Sequence, residues 1–269
     1  MKGDRMVFFL GCSRTASKGY MHVLNEHTTY NVTRELHLHK KNKGNTVYKC
    51  YQKFSSNKNV GLLAQELENL KNASYWKSDD FVAQKFQKFL EKTNTANLTY
   101  WGLVSKILEF DSDQKNKEFC GAKFPLHIAY FPTLKKHFPK SQFVFLARDP
   151  LTMAFSQFNK HKMTSFSRRF TMLLYTAIMF NCTILFGNIF RPKNSTFISY
   201  ENFKADKRKI IQDLCKFLNI TFDEEMLDIP VLGSRIQTDS SPYKLSKLES
   251  LGLKVFTFPF LIVYRQSMI

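Results

Sequence analysis

The chain has 269 residues, of which 43% are hydrophobic, and it carries a net charge of +18. This length suits one large α/β domain with a sizeable core, and it does not require two domains. The basic balance favours phosphorylated or polyanionic partners, such as a nucleotide, a sulfated or acidic glycan, a nucleic acid or an acidic membrane face. The five cysteines form no Cys-x-x-Cys pair and no metal-ligand spacing, so we expect no metal site and reduced thiols.

The first stretch of the chain has the order strand, tight turn, helix. An apolar run from Met6 to Leu10 leads into the turn Gly11–Ser17, and the spacing of apolar residues predicts a helix from Ser17 to Glu26. Such a turn points backbone N–H groups and the positive end of a helix dipole at one place. Arg14 and Ser17 add a cation and a hydroxyl there. The sequence therefore predicts a site for a phosphate or sulfate group.

Less regular segments follow the first helix. The polar run Thr28–Arg34 returns the chain towards Glu35, and residues 38–60 are basic and polar, which indicates either a solvated loop or a partner-binding one. Helical spacing then predicts two helices that cover the sheet, Gly61–Lys71 and Ser78–Lys92.

Strands and helices alternate through the second half of the chain. The predicted strands are Phe119–Ala122, Gln142–Ala147 and Thr196–Ser199, and the predicted helices include His127–His137 and Lys207–Leu218. This order predicts an α/β fold with a central parallel sheet flanked by crossover helices. Ligands bind beyond the carboxyl ends of such strands, where Arg14, Lys123 and Arg148 are expected to converge.

Two apolar segments and the start of the sequence bear on the location of the protein and on its relation to membranes. Phe170–Phe190 is apolar, but its several polar residues favour a buried helix over a membrane span. The stretch from Leu248 to the end forms either a final strand or a divergent tail. The start of the sequence does not have the pattern of a signal peptide, which favours a cytoplasmic protein, with a luminal or Golgi location as the alternative.

Four blocks, in order along the chain, resemble those of sulfotransferases that use 3′-phosphoadenosine 5′-phosphosulfate (PAPS). Gly11–Ser17 resembles the 5′-phosphosulfate loop G-x-P-R-S-G-T of that family. The other three are Lys123-Phe124-Pro125-Leu126-His127, the strand ending at Arg148-Asp149-Pro150 with Ser156 eight residues after the arginine, and Tyr200-Glu201-Asn202-Phe203 with Lys216-Phe217-Leu218. The pattern is most similar to the tyrosylprotein and carbohydrate branch, because cytosolic members place a histidine where this chain has Pro125. The family fold is the P-loop-like sulfotransferase architecture.

The resemblance implies the residues that bind the nucleotide. Arg14 and the loop residues Thr15, Ala16, Ser17 and Lys18 are expected to hold the 5′-phosphosulfate, and Arg148 with Ser156 the 3′-phosphate. Ser240 and Ser241 resemble a late serine loop that closes over the nucleotide, or they belong to an ordinary polar turn. A Walker-type nucleotide site is excluded, because Ser17 stands where that motif requires lysine.

The resemblance also implies catalytic roles. Sulfuryl transfer needs cations around the sulfonate and a base for the acceptor proton. Lys123, with Arg14, is expected to neutralise charge on the leaving oxygen, or else Lys123 is a solvated side chain. Glu35 matches the acidic base of the tyrosylprotein-like branch. The alternatives are a surface glutamate paired with Arg34, and His127 as the base.

These features predict a single sulfotransferase-like domain over residues 1–269, with a mainly helical acceptor-side insertion at 38–118 and a divergent tail at 248–269. The predicted reaction transfers a sulfuryl group from PAPS to a hydroxyl of a carbohydrate or related acceptor, with an anionic glycan among the candidates. The alternative is a catalytically silent nucleotide-binding relative, because Ala16 replaces the usual glycine and Lys18 a small hydroxyl residue. A nucleic-acid-binding function rests on charge alone, and the sequence has none of the recognised modules.

Overall fold

The fold is known from a computed structural model of the chain. The structure describes residues 6–34, 36, 46–73, 81–93, 95–123, 125–229 and 243–267. Every statement below concerns these residues.

Five strands and eleven helices make up the described chain. The strands are β1 Met6–Gly11, β2 Tyr30–Arg34, β3 Phe119–Lys123, β4 Gln142–Ala147 and β5 Ser195–Ser199. The α-helices are α1 Ser17–Glu26, α2 Val47–Asn57, α3 Val60–Ala73, α4 Ala83–Glu91, α5 Tyr100–Asp113, α6 Phe131–His137, α7 Pro150–His161, α8 Phe166–Ile184, α9 Tyr200–Ala205, α10 Lys207–Leu218 and α11 Lys247–Gln266. Short 3₁₀ turns occupy Pro125–Tyr130 and Glu224–Leu227, and a π-helical turn, Leu185–Ile189, continues α8.

The strands form one sheet in the order β2-β3-β1-β4-β5. β2 pairs in parallel with β3 from Tyr30↔Phe119 to Arg34↔Lys123, and β4 pairs in parallel with β5 from Phe143↔Ser195 to Ala147↔Ser199. Helices flank this central sheet, so the predicted α/β fold class is confirmed.

The chain divides into two compact units. The first comprises the described residues within Met1–Phe8, Leu24–Phe124 and His137–Ser141, and the second those within Phe9–Val23, Pro125–Lys136 and Gln142–Ile269. Each unit is described below by itself.

The first unit contains a strand that the sequence did not reveal. Thr28–Arg34 reads as a polar run, but Tyr30–Arg34 is β2. Its polar members are satisfied internally: Asn31 Nδ2 and Thr33 Oγ1 donate to Asp111 Oδ2 at 2.9 and 2.5 Å. Asp111 is itself buried, and it lies on α5. The sequence of β2 is therefore polar because its polar side chains form hydrogen bonds with a buried carboxylate.

Helices cover most of the first unit. Residues 47–57 form α2, which corrects the prediction of a loop over 38–60 for the part of that segment that is described. The Thr46 side chain accepts a hydrogen bond from the Lys49 N–H at the start of α2, and Lys58 ends the helix in a left-handed conformation with φ 54°. The predicted helices at 61–71 and 78–92 correspond to α3 and α4.

The second unit contains the remaining helices and their core. Ala154 and Phe158 of α7, Leu173 and Ala177 of α8, and Leu253 of α11 form a buried cluster. The C-terminal segment is therefore helix α11, and the prediction of a final strand there is wrong. Ser246 and Glu249 form a capping box that starts this helix, even though Pro259 lies inside it.

Candidate functional site

The turn after β1 requires glycine at its first position. Gly11 has φ 144°, and a Cβ on this residue would lie 2.1 Å from the backbone oxygen of Leu146 in β4. That distance is far inside van der Waals contact. The absence of a side chain lets the end of β1 pass directly against β4, which fixes where the following loop begins.

The loop backbone then takes two left-handed conformations. Arg14 has φ 75° and Ala16 φ 59°, and the Thr15 hydroxyl donates to the Cys12 carbonyl oxygen at 2.9 Å. Successive N–H groups in such a conformation, placed before a helix, form a concave site for an anion. The left-handed φ of Ala16 is a strained conformation for alanine, which has a Cβ atom that glycine lacks.

The first loop cysteine is not a nucleophile. Cys12 is fully buried, and burial raises the pKa of its thiol to about 12, although the N–H of Ser13 partly opposes this. The thiol is therefore neutral at physiological pH. All five cysteines are free thiols.

Three of the predicted nucleotide-binding residues meet in the second unit. The Arg14 Nε donates to Ser156 Oγ at 2.8 Å, and the Arg148 Nη1 donates to the Arg14 carbonyl oxygen at 3.2 Å. The loop after β1, the end of β4 and the second turn of α7 thus converge on one place. We call Arg14, Arg148 and Ser156 the arginine cluster.

The surroundings of Arg148 suit the binding of an anion. Its side chain is 9% exposed, its guanidinium lies 4.1 Å from the centre of the Tyr200 ring, and its Nε has no hydrogen-bond partner among the described residues. A buried guanidinium donor without a partner is costly unless a ligand satisfies it. A phosphate group matches both the charge and the fork geometry of this side chain.

Supporting residues hold the turn that carries Arg148. The Asp149 carboxylate accepts from the Thr152 N–H at 2.8 Å and caps α7, and the Asp149 N–H donates to Glu201 Oε1 at 3.1 Å. The Tyr264 hydroxyl of α11 donates to the other oxygen of Glu201. Burial, and next the Glu201 carboxylate, raise the pKa of Tyr264 well above its ordinary value, so the phenol stays protonated as a donor.

Tyr264 was missed by the sequence reasoning, which did not assign the C-terminal segment. Its support of Glu201 connects α11 to the turn after β4. The one available signal was the capping box at Ser246 and Glu249, which predicts a helix that reaches this position.

Lys123 ends β3 in the first unit and is only 4% exposed, so it is not a solvated side chain. Its register partner is Arg34, the last residue of β2. The Arg34 Nε is buried and has no hydrogen-bond partner among the described residues. Residues in register on neighbouring strands share a face of the sheet, so two cations lie side by side at this end of the first unit. Sequence reasoning considered Arg34 only as a partner for Glu35.

The remaining predicted site residues fall into three groups. Thr15 is buried in the loop, Ser17 is buried at the start of α1 and Lys18 is exposed on α1, whereas His127 is fully buried in the 3₁₀ turn after β3. The predicted base Glu35 lies outside the described residues, as do Ser240 and Ser241.

Solved structures share this fold. The similar structures include the sulfotransferase domain of the olefin synthase of Synechococcus PCC 7002 (TM-score 0.58, 17% identity, covering 97% of this chain and 94% of that one). They also include the sulfotransferase domain of the curacin biosynthetic pathway (TM-score 0.56, 16% identity, 93% and 96% covered). A third is a sulfotransferase from Mycobacterium avium (TM-score 0.55, 12% identity, 96% and 76% covered). At these identities the likeness establishes the fold alone.

The fold and the loop after β1 define a class, the parallel α/β proteins that bind an anionic group at the carboxyl ends of their strands. A sequence-family model described as "Sulfotransferase family" matches residues 6–224. The chain therefore belongs to the sulfotransferase family. Comparison with curated proteins gives no significant match.

Proposed function

We propose that this protein is a PAPS-dependent sulfotransferase that transfers a sulfuryl group to a hydroxyl of a carbohydrate or related acceptor. Family membership supports a transferase of sulfuryl groups. The observation that carries the choice of nucleotide is the arginine cluster, in which a buried guanidinium with an unsatisfied donor lies against the loop after β1. The tyrosylprotein and carbohydrate branch remains part of this proposal.

The residues of the second unit fit the two charged ends of PAPS. The backbone N–H groups of Thr15, Ala16 and Ser17 are proposed to hold the 5′-phosphosulfate. Arg148 and Ser156 are proposed to bind the 3′-phosphate, and Arg14, which already bonds to Ser156, links the two ends. Tyr200 keeps the guanidinium plane of Arg148 fixed by stacking.

The proposed catalytic residues are Lys123 and Glu35, with His127 as the alternative base. Bound PAPS supplies the sulfuryl group, and Lys123 is proposed to neutralise the charge that develops on the leaving oxygen. The position of Lys123 favours this role, because it is buried at the carboxyl end of a parallel strand, where ligands of such sheets bind. Glu35 is proposed to take the proton of the acceptor hydroxyl, and His127 is the alternative base. The helical segment at 38–118 is proposed to shape the acceptor side.

Nucleotide binding tests the proposal first. The product 3′-phosphoadenosine 5′-phosphate (PAP) should bind the purified protein in a calorimetric titration. Loss of a charge-assisted hydrogen bond of about 1.5 to 3 kcal/mol in Arg148→Ala should raise the Kd roughly tenfold to hundredfold. Arg208→Ala is the matched control, because Arg208 pairs with Glu224 on the exposed side of α10. Failure of the unaltered protein to bind PAP would sink the proposal.

Turnover tests the catalytic roles separately. With PAPS and a panel of sugar and phenol hydroxyl acceptors, release of PAP should be measurable. Lys123→Ala and Glu35→Gln should lower kcat far more than they weaken PAP binding, whereas His127→Gln should spare kcat if Glu35 is the base.

The second candidate function is a silent nucleotide-binding relative. The left-handed conformation of Ala16 favours it, since this alanine holds a backbone position suited to glycine. Tight PAP binding without PAP release across the acceptor panel would support this candidate. Recovery of turnover in Ala16→Gly would identify the loop as the cause.

A further inference from the structure

Large apolar side chains are exposed along α8, the π-helical turn after it, and α11. We call these residues the apolar face. They are Phe166, Phe170, Leu174, Ile178, Ile189 and Phe190 on the first helix and its continuation, and Leu248, Leu251, Val255, Phe256, Phe258 and Ile262 on α11.

Helix α11 is apolar on two opposite sides. Leu253, Thr257, Leu261 and Tyr264 are buried, whereas Leu251, Val255, Phe258 and Ile262 recur at intervals of three or four residues and are 45 to 64% exposed. The second set forms a stripe on the side of the helix away from the core. A helix with two apolar sides is stable when both sides contact an apolar environment. The protein core covers only one side of α11.

The exposed stripes of α8 and α11 belong to neighbouring helices. Arg169 near the start of α8 forms an ion pair of 2.6 Å with Glu249 near the start of α11. Further along, the Asn181 Nδ2 donates to the Phe256 carbonyl oxygen at 3.0 Å. Because the two links follow the same sequence direction, the helices run side by side in parallel. Both helices of this pair therefore carry large exposed apolar side chains.

The two sequence segments that contain this helix pair are strongly basic. Residues 160–193 and 243–267 contain ten lysines and arginines and one carboxylate, Glu249, which already pairs with Arg169. The arginines and lysines are Lys160, Lys162, Arg168, Arg169, Arg191, Lys193, Lys244, Lys247, Lys254 and Arg265. Apolar residues with a cationic border are the composition of helices that lie on anionic membranes.

The charge pattern argues against a second copy as the occupant. A two-fold dimer through the apolar face would place the same cationic border opposite itself, with one carboxylate per chain to compensate it. An anionic surface has the complementary charge instead.

Packing argues against a membrane span. Phe166–Ile189 is long and apolar enough to cross a membrane, with a mean hydropathy of 1.6, but 44% of that window is buried inside the protein. Spanning would withdraw Leu173 and Ala177 from the cluster they share with α7 and α11. Lying in the plane of the interface uses the exposed side and leaves that cluster intact.

We propose that the apolar face docks on the surface of an anionic lipid bilayer. Its phenylalanine, leucine, isoleucine and valine side chains enter the boundary between headgroups and acyl chains, while the bordering lysines and arginines contact lipid phosphates and carboxylates. The proposal is independent of the proposed reaction, because it uses no residue of the arginine cluster.

Sedimentation with lipid vesicles tests the proposal on the full chain. Vesicles of phosphatidylcholine with phosphatidylserine should carry the protein down, vesicles of phosphatidylcholine alone should do so much less, and added salt should release it. The double variant Leu251→Ser/Phe258→Ser should lower the partition coefficient about tenfold or more, because two exposed apolar anchors are lost. Lys247→Gln/Lys254→Gln should weaken binding only to the anionic vesicles.

The matched control is Leu62→Ser/Val82→Ser, which removes two apolar residues of the first unit with 41 and 38% exposure. It should leave vesicle binding unchanged, and thermal melts should show that all variants are folded. Three results would overturn the proposal: absence of vesicle binding, equal loss in the control, or equal binding to neutral and anionic vesicles. A dimer in light scattering that Leu251→Ser/Phe258→Ser dissociates, without vesicle binding, would assign the face to a second copy.

Discussion

Two strand-to-helix turns of the second unit lie against each other but offer opposite chemistry. In the turn after β4, Pro150 occupies the start of α7 and the Asp149 carboxylate accepts from the N–H and hydroxyl of Thr152. In the turn after β1, Ala16 directly precedes α1 and has no side-chain acceptor, and the Thr15 hydroxyl points back to Cys12. The Asp149 side chain thus caps an N–H of α7, whereas the start of α1 has no such side-chain cap among the described residues, which suits the anion site proposed there.

The comparison shows that the two turns offer different chemical groups to a ligand. After β4 the proposed binding group is a side chain, Arg148, which lies over the Tyr200 ring and donates to the Arg14 carbonyl oxygen. After β1 the proposed binding group is the backbone, whose shape depends on Gly11 and on two left-handed residues. Substitutions should therefore act mainly through backbone shape in the first turn and through capping and charge in the second.

Gly11→Ala should give the largest effect. The new methyl group would meet the Leu146 oxygen at 2.1 Å, so β1 or β4 must shift, and we expect a loss of unfolding free energy of about 3 kcal/mol or more. Urea unfolding measures this loss. Gly19→Ala is the control: nothing lies within 4 Å of its Cβ, and alanine should stabilise α1 by roughly 0.5 to 1 kcal/mol. Equal effects of the two substitutions would contradict the close approach at Gly11.

Asp149→Ala should have a moderate effect. Removal of the cap of α7 should lower the unfolding free energy by about 1 kcal/mol, whereas Asp149→Asn, which retains an acceptor, should lose much less. PAP affinity should change little in both variants, because other groups hold Arg148. A large loss of affinity with intact stability would instead make the Asp149 carboxylate part of the binding site.

Ala16→Gly should have a smaller effect of the opposite sign. Relief of the left-handed alanine, less the backbone entropy that glycine adds to the unfolded chain, should raise the unfolding free energy by about 0.5 kcal/mol. Lys58→Gly relieves the same conformation at the end of α2 and should stabilise similarly. Only Ala16→Gly should alter PAP binding. If Lys58→Gly alters it as well, the effect does not come from the loop.

The sequence predicted elements whose signals are local. Ser17–Glu26, Gln142–Ala147 and Lys207–Leu218 occur with the predicted bounds, because each has a clear apolar period and a turn at its end. The meeting of Arg14 with Arg148 also follows from order along the chain, since parallel strands bring their carboxyl ends together, whereas the expected convergence of Lys123 with them stays a prediction. The contact of Arg14 with Ser156 required the structure, because it depends on side-chain conformation.

The sequence failed where distant residues decide the outcome. β2 looked polar because the partner of Asn31 and Thr33 is Asp111, about eighty residues away in the sequence. For the segment that forms α11, the sequence left a final strand and a divergent tail open, because Val255, Phe258 and Ile262 have β propensity and Pro259 disfavours a helix. Packing on α8 and the capping box at Ser246 override that propensity. The prediction of Phe170–Phe190 as a buried helix holds for one side only, since Phe170 and Ile178 are half-exposed.

The smallest expected effect is a change in the pKa of His161, which depends on the positive charge of Arg14. His161 ends α7, and burial, then Lys160, then Arg14 lower its pKa below the ordinary value of 6.5. The folded protein therefore binds fewer protons than the unfolded chain just below pH 6.5, so this residue makes stability fall as the pH drops through that range. A bound phosphate offsets the charge of Arg14 and should raise the pKa, so PAP binding should take up protons and tighten as the pH falls.

NMR titration of the His161 ring should show a pKa below 6.5 that rises with PAP. The pKa should also rise in Arg14→Ala, and rise more in Lys160→Gln. If neither PAP nor Arg14→Ala changes the pKa of His161, the charge of Arg14 has no measurable electrostatic effect at the end of α7. The effect of that charge would then be limited to the two turns.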